Sequence, residues 1–373
     1  MLTLVGTYPP IRCGIATFNR DLREALLREG VPSQVAVVAH PEEVALPFPQ
    51  EVVRVVARED REGYRALARL LRGPVILQHE YGLYGGKWGD YVLDLLEAQG
   101  PKLVVLHTLL QAPPPGLGEA DLRYMQGLLR AMAERAQAFV ALHPEGEGLL
   151  RALGVRIPVA HIPHGVPDLP RPPKEALKRA LGLEGAFLLF TYGLLGPGKG
   201  LEFALKVLAR VLPHNPRVRY LVAGRLHPNL ERHEGRRYLE RVREMAEALG
   251  VGEAFLLREG YLSEEELYRL AGAADLFLLP YPNLEQVSSG TLSYALALGK
   301  AVLSTPFRHA RAALAAGRGV LLPLEEEAWA QVVETDELPN ALVFAAVEGF
   351  AQPEQHELVR PYVGRYLDAV PRV

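Results

Sequence analysis

The stretch FLLFTYGLLGPGKGLEFALKVLARV, residues 187–211, decides the fold class. Its apolar run Phe187–Thr191 is typical of a buried strand, and the apolar spacing of Leu201–Val211 is typical of an amphipathic helix. The glycine-rich segment Gly193–Gly200 between them is short enough to be a single connecting loop. A strand, a loop and a helix in this order are the building unit of a parallel α/β sheet.

The same alternation extends in both directions from this stretch. Before it, apolar runs predict strands at Leu2–Gly6, Gln34–Ala39, Val52–Val56, Val75–Gln78, Leu103–His107 and Ala138–Leu142. Helical patterns between them lie at Thr17–Glu29, Arg61–Leu71 and Asp121–Ala136. After it, strands are expected at Val218–Ala223, Ala254–Leu257, Leu276–Leu279, Ala301–Ser304 and Gly319–Leu322. The first helix is expected to have Thr17 as its N-cap and to end just before Gly30.

A proline-rich segment separates the two halves. Residues Ile162–Pro173 hold five prolines in twelve positions, which disfavours both helix and strand and indicates a linker. We therefore predict an α/β protein with two doubly wound, Rossmann-like domains, residues 1–165 and 174–350, that face each other across a cleft. Ligands of such sheets bind at the loops that follow the strands, so those loops are the candidate sites.

Composition excludes several classes of protein. Hydrophobic residues make up 49% of the 373 positions, which is enough for packed cores, and no apolar run approaches the ~20 residues of a membrane helix. The net charge of −3 gives no general attraction to nucleic acid. A single cysteine, Cys13, and no evident signal peptide favour a cytoplasmic location. Arginine outnumbers lysine 34 to 7, a composition that fits a thermophile or a GC-rich genome.

The loop Gly193–Gly200 is the first candidate anion site. It fits the Gly-x4-Gly-Lys part of a P-loop, but Gly200 stands where a P-loop has the Ser or Thr that holds magnesium. A milder interpretation is a glycine-rich turn that presents Lys199 to a phosphate at the start of the following helix. A flexible turn with a solvated lysine is the structural alternative.

A second candidate follows the predicted strand Leu276–Leu279. Residues Ser288–Thr291 are expected to form the first turn of a helix, where free backbone N–H groups and hydroxyls suit an anion. Simple N-capping by a serine, with no ligand, is the alternative. Together with Lys199 on a parallel loop, this segment favours a diphosphate site.

Polar residues also follow the strands of the first half. The loop after the first strand contains Cys13, which is expected to be a buried inert thiol, and Gly14, which would allow close approach of a ligand. Residues Gln78–Gly82 and His107–Thr108 follow two further strands. A histidine after a strand is more often structural than catalytic, but three polar loops on one sheet edge place the functional interpretation on an equal footing with the structural one.

In order and spacing, these segments resemble family 4 of the retaining glycosyltransferases, also described as glycosyl transferases group 1. The resemblance runs from Leu2 to about Pro323 and rests on the tandem halves, the Gly14 loop, Ile162–Val166, Gly198–Gly200, Gly260–Leu267, Ala273–Pro280, Gly290 and Ala295–Val302. It implies a GT-B fold, with the acceptor on residues 1–165 and a nucleoside-diphosphate sugar on residues 174–350. It also implies that a last helix, residues 354–370, packs back on the first domain.

The implied activity is that of a hexosyltransferase (EC 2.4) that moves a sugar to a hydroxyl of a saccharide, a lipid-linked acceptor or a small molecule. No cofactor besides the donor is implied, and the absence of an Asp-x-Asp motif predicts independence from metal. The positions that match are catalytic His107, Lys199 and Gln286; donor-binding Gly14, Gly198, Lys199, Tyr261, Glu285, Gln286, Ser288, Ser289, Gly290, Thr291 and Tyr294; and acceptor-side His79, Glu80 and Tyr81.

The sequence departs from the family at a pair of carboxylates and before the lysine loop, where the usual arginine falls near Leu194 and the loop is about one residue shorter. The usual Glu-x7-Glu pair falls on Gln286 and Tyr294. A sugar-nucleotide epimerase or phosphorylase on the same fold, or a nucleotide-sugar-binding protein without turnover, are therefore the alternatives. The arginine-rich helix predicted at Glu231–Leu249 either touches a membrane or an anionic acceptor, or is a solvated face.

Overall fold

The computed structural model describes residues 1–113, 116–166, 172–314 and 319–334. The chain divides into two compact units, with a boundary between residues 167 and 168. Each unit holds one parallel sheet with helices between successive strands. The predicted helix at residues 354–370 lies outside the described residues.

The first unit contains a seven-stranded sheet in the order β3-β2-β1-β4-β5-β6-β7. Its strands are β1 Leu2–Gly6, β2 Ser33–Ala39, β3 Val52–Ala57, β4 Val75–His79, β5 Lys102–Leu106, β6 Ala138–Ala141 and β7 Val159–His161. Its helices are α1 Gly14–Arg28, α2 Arg61–Leu70, α3 Val92–Leu95, α4 Glu119–Ala133 and α5 Gly146–Ala152, with 3₁₀ turns at Pro41–Glu43 and Lys87–Gly89. Alternate strand residues bury both faces of the sheet, which is why these strands are continuous apolar runs.

The second unit contains a six-stranded sheet in the order β10-β9-β8-β11-β12-β13. Its strands are β8 Phe187–Tyr192, β9 Val218–Gly224, β10 Phe255–Glu259, β11 Leu276–Leu279, β12 Ala301–Ser304 and β13 Val320–Leu321. Its helices are α6 Lys174–Ala180, α7 Leu201–Val211, α8 Pro228–Glu234, α9 Arg237–Ala248, α10 Glu264–Ala273, α11 Gly290–Ala297, α12 Arg308–Ala313 and α13 Glu326–Glu334, with a 3₁₀ turn at Pro197–Lys199. Its two faces are buried in the same way.

Three local predictions were wrong. Helix α1 begins at Gly14, three residues before Thr17, because the Sγ of Cys13 accepts a hydrogen bond from the backbone N–H of Ala16 and caps the helix. The short strand β7 was missed because its three residues are too few to show a period. The single helix expected over Glu231–Leu249 is instead two helices, α8 and α9.

Each sheet has one place where the strand order reverses. In the first unit that place lies between β1 and β4, and in the second it lies between β8 and β11. Crossover connections on the two sides of such a point leave in opposite directions, which opens a crevice at the carboxyl ends of the strands. The loops that follow these four strands are therefore the positions where each sheet can bind a ligand.

Candidate functional site

Two loops meet at the reversal point of the second sheet. They are residues 193–200 after β8 and residues 280–289 after β11. Gly200 has a φ of +64°, and a Cβ at this position would lie 2.0 Å from the carbonyl oxygen of Pro280. A Cβ on Gly224, at the end of β9, would likewise lie 1.9 Å from the carbonyl oxygen of Gly193. The backbones of neighbouring loops are therefore in direct contact.

The ammonium group of Lys199 lies between these two loops. Its Nζ donates to the Oη of Tyr281 at 2.7 Å and lies 3.4 Å from the Oγ1 of Thr291. The Thr291 hydroxyl donates in turn to the carbonyl oxygen of Tyr192 at 3.2 Å, so its oxygen is available to accept from the lysine. A positive charge is thus held at the first turn of α11, where backbone N–H groups already favour an anion.

Helix α11 starts two residues later than the sequence predicted. Ser289 is the N-cap, and its side chain accepts from the N–H of Leu292 at 3.2 Å. Gly290 and Thr291 are the first helical residues, so their N–H groups have no acceptor within the helix. Ser288 lies before the cap, where its carbonyl accepts from the side chain of Gln286.

The residues at and beside the departure from the family pattern have partners within the second unit. The Nε2 of Gln286 donates to the carbonyl oxygen of Ser288 at 2.8 Å. The carboxylate of Glu285 lies 3.4 Å from a guanidinium nitrogen of Arg308, which is buried. The ring of Tyr294 packs against Tyr192 and Tyr268 at centroid distances of 6.4 and 6.1 Å.

Gly198 and Tyr261 were also predicted to bind the donor, and they lie at different distances from Lys199 along the sheet. Gly198 belongs to the 3₁₀ turn that carries Lys199. Tyr261 follows β10, two strands away from β8 in the sheet, and is 54% exposed. The structure therefore brings Lys199 and Thr291 together and places Tyr261 towards the edge strand.

In the first unit, a chain of side-chain hydrogen bonds runs along the reversal point. The Nδ2 of Asn19 donates to the carbonyl oxygen of Thr7, which directs its Oδ1 towards the amide nitrogen of Gln78 at 3.3 Å. The Oε1 of Gln78 then lies 2.9 Å from the Nε2 of His107. An oxygen in that place can only accept, so Nε2 carries the proton and Nδ1 is the acceptor nitrogen of the His107 ring.

Three histidines lie at this edge of the sheet: His79 and His107 are buried, and His164 is partly buried. Phe18 contacts the rings of His107 and His164 at centroid distances of 5.0 and 4.9 Å. Burial lowers the pKa of His79 to about 4, that of His107 to about 3 and that of His164 to about 4. All three rings are therefore uncharged at neutral pH. Both ring nitrogens of His79 and the Nδ1 of His164 are buried without a hydrogen-bond partner.

The loop after β4 adds a carboxyl group to this edge. The side chain of Glu80 accepts from the Oγ1 of Thr108 at 2.6 Å and from the N–H of Tyr81 at 2.8 Å. Burial raises the pKa of Glu80 to about 7, although both hydrogen bonds act in the opposite direction. The hydroxyl of Tyr81 is buried without a partner, and its ring lies 5.1 Å from that of His79.

The loop after β1 holds the remaining predicted residues. Gly14 is the first residue of α1, and a Cβ there would meet nothing within 4 Å. The thiol of Cys13 caps α1 and lies 3.1 Å from the Oγ1 of Thr7. Burial raises the pKa of this thiol, so it stays protonated and fits the structural role that the sequence predicted.

Sequence reasoning missed several residues that hold these two edges. They are Asn19 in the first unit and Tyr281, Arg308 and His309 in the second. Tyr281 lies in a turn that follows a strand, which is a signal that could have been used. Among the described residues, no group of three or more His, Cys, Asp or Glu side chains could hold a metal ion.

Comparison with known proteins addresses the fold and the second unit. Residues 173–337 match the family described as "Glycosyl transferases group 1". Anabaena HepE, solved with UDP and glucose, superposes with a TM-score of 0.75 at 16% identity, over 99% of this chain and 98% of that one. Sucrose-phosphate synthase of Thermosynechococcus elongatus superposes with a TM-score of 0.69 at 17% identity, over 99% of both chains.

A third structure agrees with these two. The UDP-forming trehalose-phosphate synthase of Burkholderia xenovorans gives a TM-score of 0.72 at 14% identity, over 99% of this chain and 98% of that one. The fold is GT-B. The family match and the GT-B fold together support an enzyme of the hexosyltransferase type.

One curated protein shares a short stretch of sequence. Aminopeptidase N of Streptomyces lividans is 50% identical over 44 residues, which is 12% of this chain and 5% of that protein. A match of this extent carries no argument about activity. Within the described residues of the GT-B chain, no helix is both long and apolar enough to cross a membrane.

Proposed function

We propose that this protein is a retaining glycosyltransferase of family 4, which moves a sugar from a nucleoside-diphosphate sugar to a hydroxyl acceptor. The observation that carries the proposal is the position of the Lys199 ammonium. Its Nζ lies 3.4 Å from the Oγ1 of Thr291 at the start of α11. Solved structures of the same fold were determined with UDP or with UDP-glucose, which makes a uridine donor the first one to test.

The chemistry of the leaving group explains why these residues suit the reaction. Breaking the sugar–phosphate bond increases the negative charge on the departing diphosphate. Lys199 and the free N–H groups of Gly290 and Thr291 would stabilise that charge more strongly in the transition state than in the bound donor. A protein that supplies this positive field has no need of a metal ion, and we propose that the reaction is metal-independent.

The first unit is proposed to bind the acceptor and the transferred sugar. His79, Tyr81 and His164 offer buried polar atoms without a partner in the protein, and an unpaired buried polar atom is unfavourable. Sugar hydroxyls both donate and accept, so they can pair with neutral imidazoles and a phenol. His107 would accept through Nδ1, because Gln78 fixes the proton on Nε2.

A nucleotide-sugar-binding protein without turnover is the second candidate. It is favoured by the contacts of Gln286 and Glu285, whose side chains pair with Ser288 and Arg308. No carboxylate then stands ready at this loop to stabilise positive charge on the anomeric carbon. Glutamine still offers an acceptor oxygen and two donors to a sugar, so binding can persist where charge stabilisation falls.

Donor turnover separates the two candidates. The protein is incubated with UDP-, GDP- and ADP-sugars, with and without a panel of saccharide, lipid-linked and small-molecule acceptors, in buffer that contains EDTA. The proposal expects an acceptor-dependent release of nucleoside diphosphate and a glycoside with the anomeric configuration of the donor. Binding without release indicates the second candidate, and activity that requires added magnesium or manganese contradicts metal independence.

A further inference from the structure

The loop that leads into α11 has few hydrogen bonds between its own residues. Within residues 283–289, the N–H of Glu285 donates to the Oδ1 of Asn283 at 3.1 Å, the N–H of Gln286 donates to the carbonyl oxygen of Asn283 at 3.4 Å, and the side chain of Gln286 donates to Ser288. A loop with so few internal bonds does not by itself fix the direction of the helix that follows it. Its conformation must be set from outside.

The first turn of α12 supplies that support through its backbone. The N–H of Arg308 donates to the carbonyl oxygen of Leu284 at 3.0 Å, and the N–H of His309 donates to that of Gln286 at 3.1 Å. N–H groups in the first turn of a helix have no acceptor inside the helix. Helix α12 uses two of these groups to hold the neighbouring loop.

The side chain of His309 adds a third hydrogen bond, which holds the backbone of Ser289. Its Nδ1 accepts the backbone N–H of Ser289 at 2.8 Å, and the side chain is buried. An imidazole nitrogen can accept only when it carries no proton, so this bond requires the neutral ring with its proton on Nε2. Ser289 is the N-cap of α11 and lies two residues before Thr291.

The side chain of Arg308 adds a positive charge beside the loop that leads into α11. Its guanidinium lies 3.4 Å from the carboxylate of Glu285, and its side chain is buried. A free carboxylate in this loop would repel an anion bound at the start of α11. The arginine both fixes the loop and offsets that repulsion.

We propose that Arg308 and His309 are positioning residues of the donor site, and that His309 aims the first turn of α11 by holding the N–H of Ser289. The proposal rests on the proposed function, because it assigns a purpose to a helix start that binds a diphosphate. The two residues act through Ser289 and Glu285 and need no contact with the donor.

The test uses two variants that differ in the position of one oxygen. His309→Asn places an acceptor oxygen where Nδ1 stands, whereas His309→Gln places it one bond farther out, where Nε2 stands. Both substituents are polar and of similar size, so a general effect on folding is matched between them. His309→Leu removes the acceptor altogether, and thermal unfolding is recorded for every variant.

Binding is measured by calorimetry with the nucleoside diphosphate, among UDP, GDP and ADP, that the wild-type chain binds best, and with its nucleoside. We expect His309→Gln and His309→Leu to weaken diphosphate binding about five- to tenfold, and to leave nucleoside binding within about twofold. His309→Asn should bind both ligands as the wild-type protein does. Amide hydrogen exchange at Ser289 should be faster in His309→Gln than in His309→Asn.

Two different results would overturn the proposal in distinguishable ways. If the wild-type protein prefers its diphosphate over the nucleoside, but the Gln and Asn variants bind it equally, His309 has no positioning role. If the wild-type protein shows no preference for any diphosphate, the proposed function itself fails, and the role of His309 fails with it.

Discussion

The carboxyl edges of the two sheets share a topology and differ in charge. At the edge of the first sheet, three buried or partly buried histidines have pKa values far below the ordinary value and are uncharged at neutral pH. At the edge of the second sheet, Lys199 is held beside a helix start. The reversal of strand order creates a ligand position in both units, but the residues that fill the loops decide which ligand chemistry each position accepts.

The difference shows how each edge handles desolvation. At the first edge, the histidines are shielded from water and carry no charge. Neutral polar groups of this kind suit the hydroxyl groups of a ligand. The second edge keeps a charge and surrounds it with hydroxyl oxygens from Tyr281 and Thr291, which suits a phosphate. Four experiments test this contrast between the two edges.

The largest effect is expected from acid on the first unit. The three histidines have folded-state pKa values of about 4, 3 and 4, below the ordinary value near 6.5, so the unfolded chain binds more protons in this range. Stability should therefore fall as the pH drops from about 6.5 to 4, by about 1.4 kcal/mol per pH unit for each proton taken up. Glu80, with a folded-state pKa of about 7, opposes this trend below pH 7.

Urea unfolding at a series of pH values measures this slope. Pulse-labelled hydrogen exchange, with the pulse at one fixed pH, reports the two units separately in the intact chain. In a His79→Leu variant, the slope of the first unit should become shallower by about one proton. An unchanged slope would mean that His79 titrates normally in the folded protein.

The next effect concerns the contact between loops in the second unit. Gly200 and Gly299 both have a φ of +64°, but a Cβ on Gly200 would meet the oxygen of Pro280 at 2.0 Å, whereas a Cβ on Gly299 meets nothing within 4 Å. Gly299→Ala should cost about 1 kcal/mol of stability for the left-handed backbone alone. Gly200→Ala should cost about 2–3 kcal/mol more, because the backbones must separate.

Chemical denaturation of both variants checks this pair. Equal losses of stability would show that the contact between the loops is not rigid.

A smaller effect is expected on ligand binding when the charge is removed. Lys199→Ala should weaken binding of a nucleoside diphosphate by about 1.5–3 kcal/mol and change binding of the nucleoside little, since one charge-assisted contact is lost. Lys206→Ala is the control, because Lys206 lies on the same stretch in α7, pairs with Glu326 at 3.4 Å and is half exposed. Calorimetry with both ligands distinguishes the two variants, and equal losses for diphosphate and nucleoside would place Lys199 away from the phosphates.

The smallest effect is expected at the second position of the family's carboxylate pair. If the hydroxyl of Tyr294 bonds the ribose, Tyr294→Phe should weaken donor binding by about 0.5–1.5 kcal/mol. Tyr220→Phe is a useful contrast, because Tyr220 donates to Thr191 inside the core and should change stability without changing affinity. A donor affinity that is the same for Tyr294→Phe and wild type argues against a role for this hydroxyl.

Most of the fold could be predicted because its buried strands are continuous apolar runs and its helices have an apolar face that repeats with the helical period. The strand Leu276–Leu279 and the helix Leu201–Val211 have the predicted bounds, since apolar side chains on a buried strand or a helix face repeat with a fixed period. The start of α1 was wrong because a cysteine, a residue that is seldom considered a cap, takes that place.

From the sequence, one could predict which loops form the candidate site but not which side chains meet there. Strand order determines which loops share an edge, and the glycines and hydroxyls of those loops are visible in the sequence. The partners of each side chain are not visible, because Lys199 meets Tyr281 across 82 residues and Gln78 meets Asn19 across 59. The bond from Ser289 to His309 depends in addition on a ring nitrogen whose protonation only the packed structure fixes.

The contacts at Gly200 and Gly224 have a consequence for how the second unit can open. Because the backbone of the loop after β8 contacts the end of β9 and the start of the loop after β11, we expect these segments to open together. Local opening at this edge should then require opening of the surrounding sheet, and amides in these loops should exchange by the same cooperative event as the strands. If these loops form the proposed donor site, the site is ordered before the ligand arrives, and little of the binding energy is used to order it.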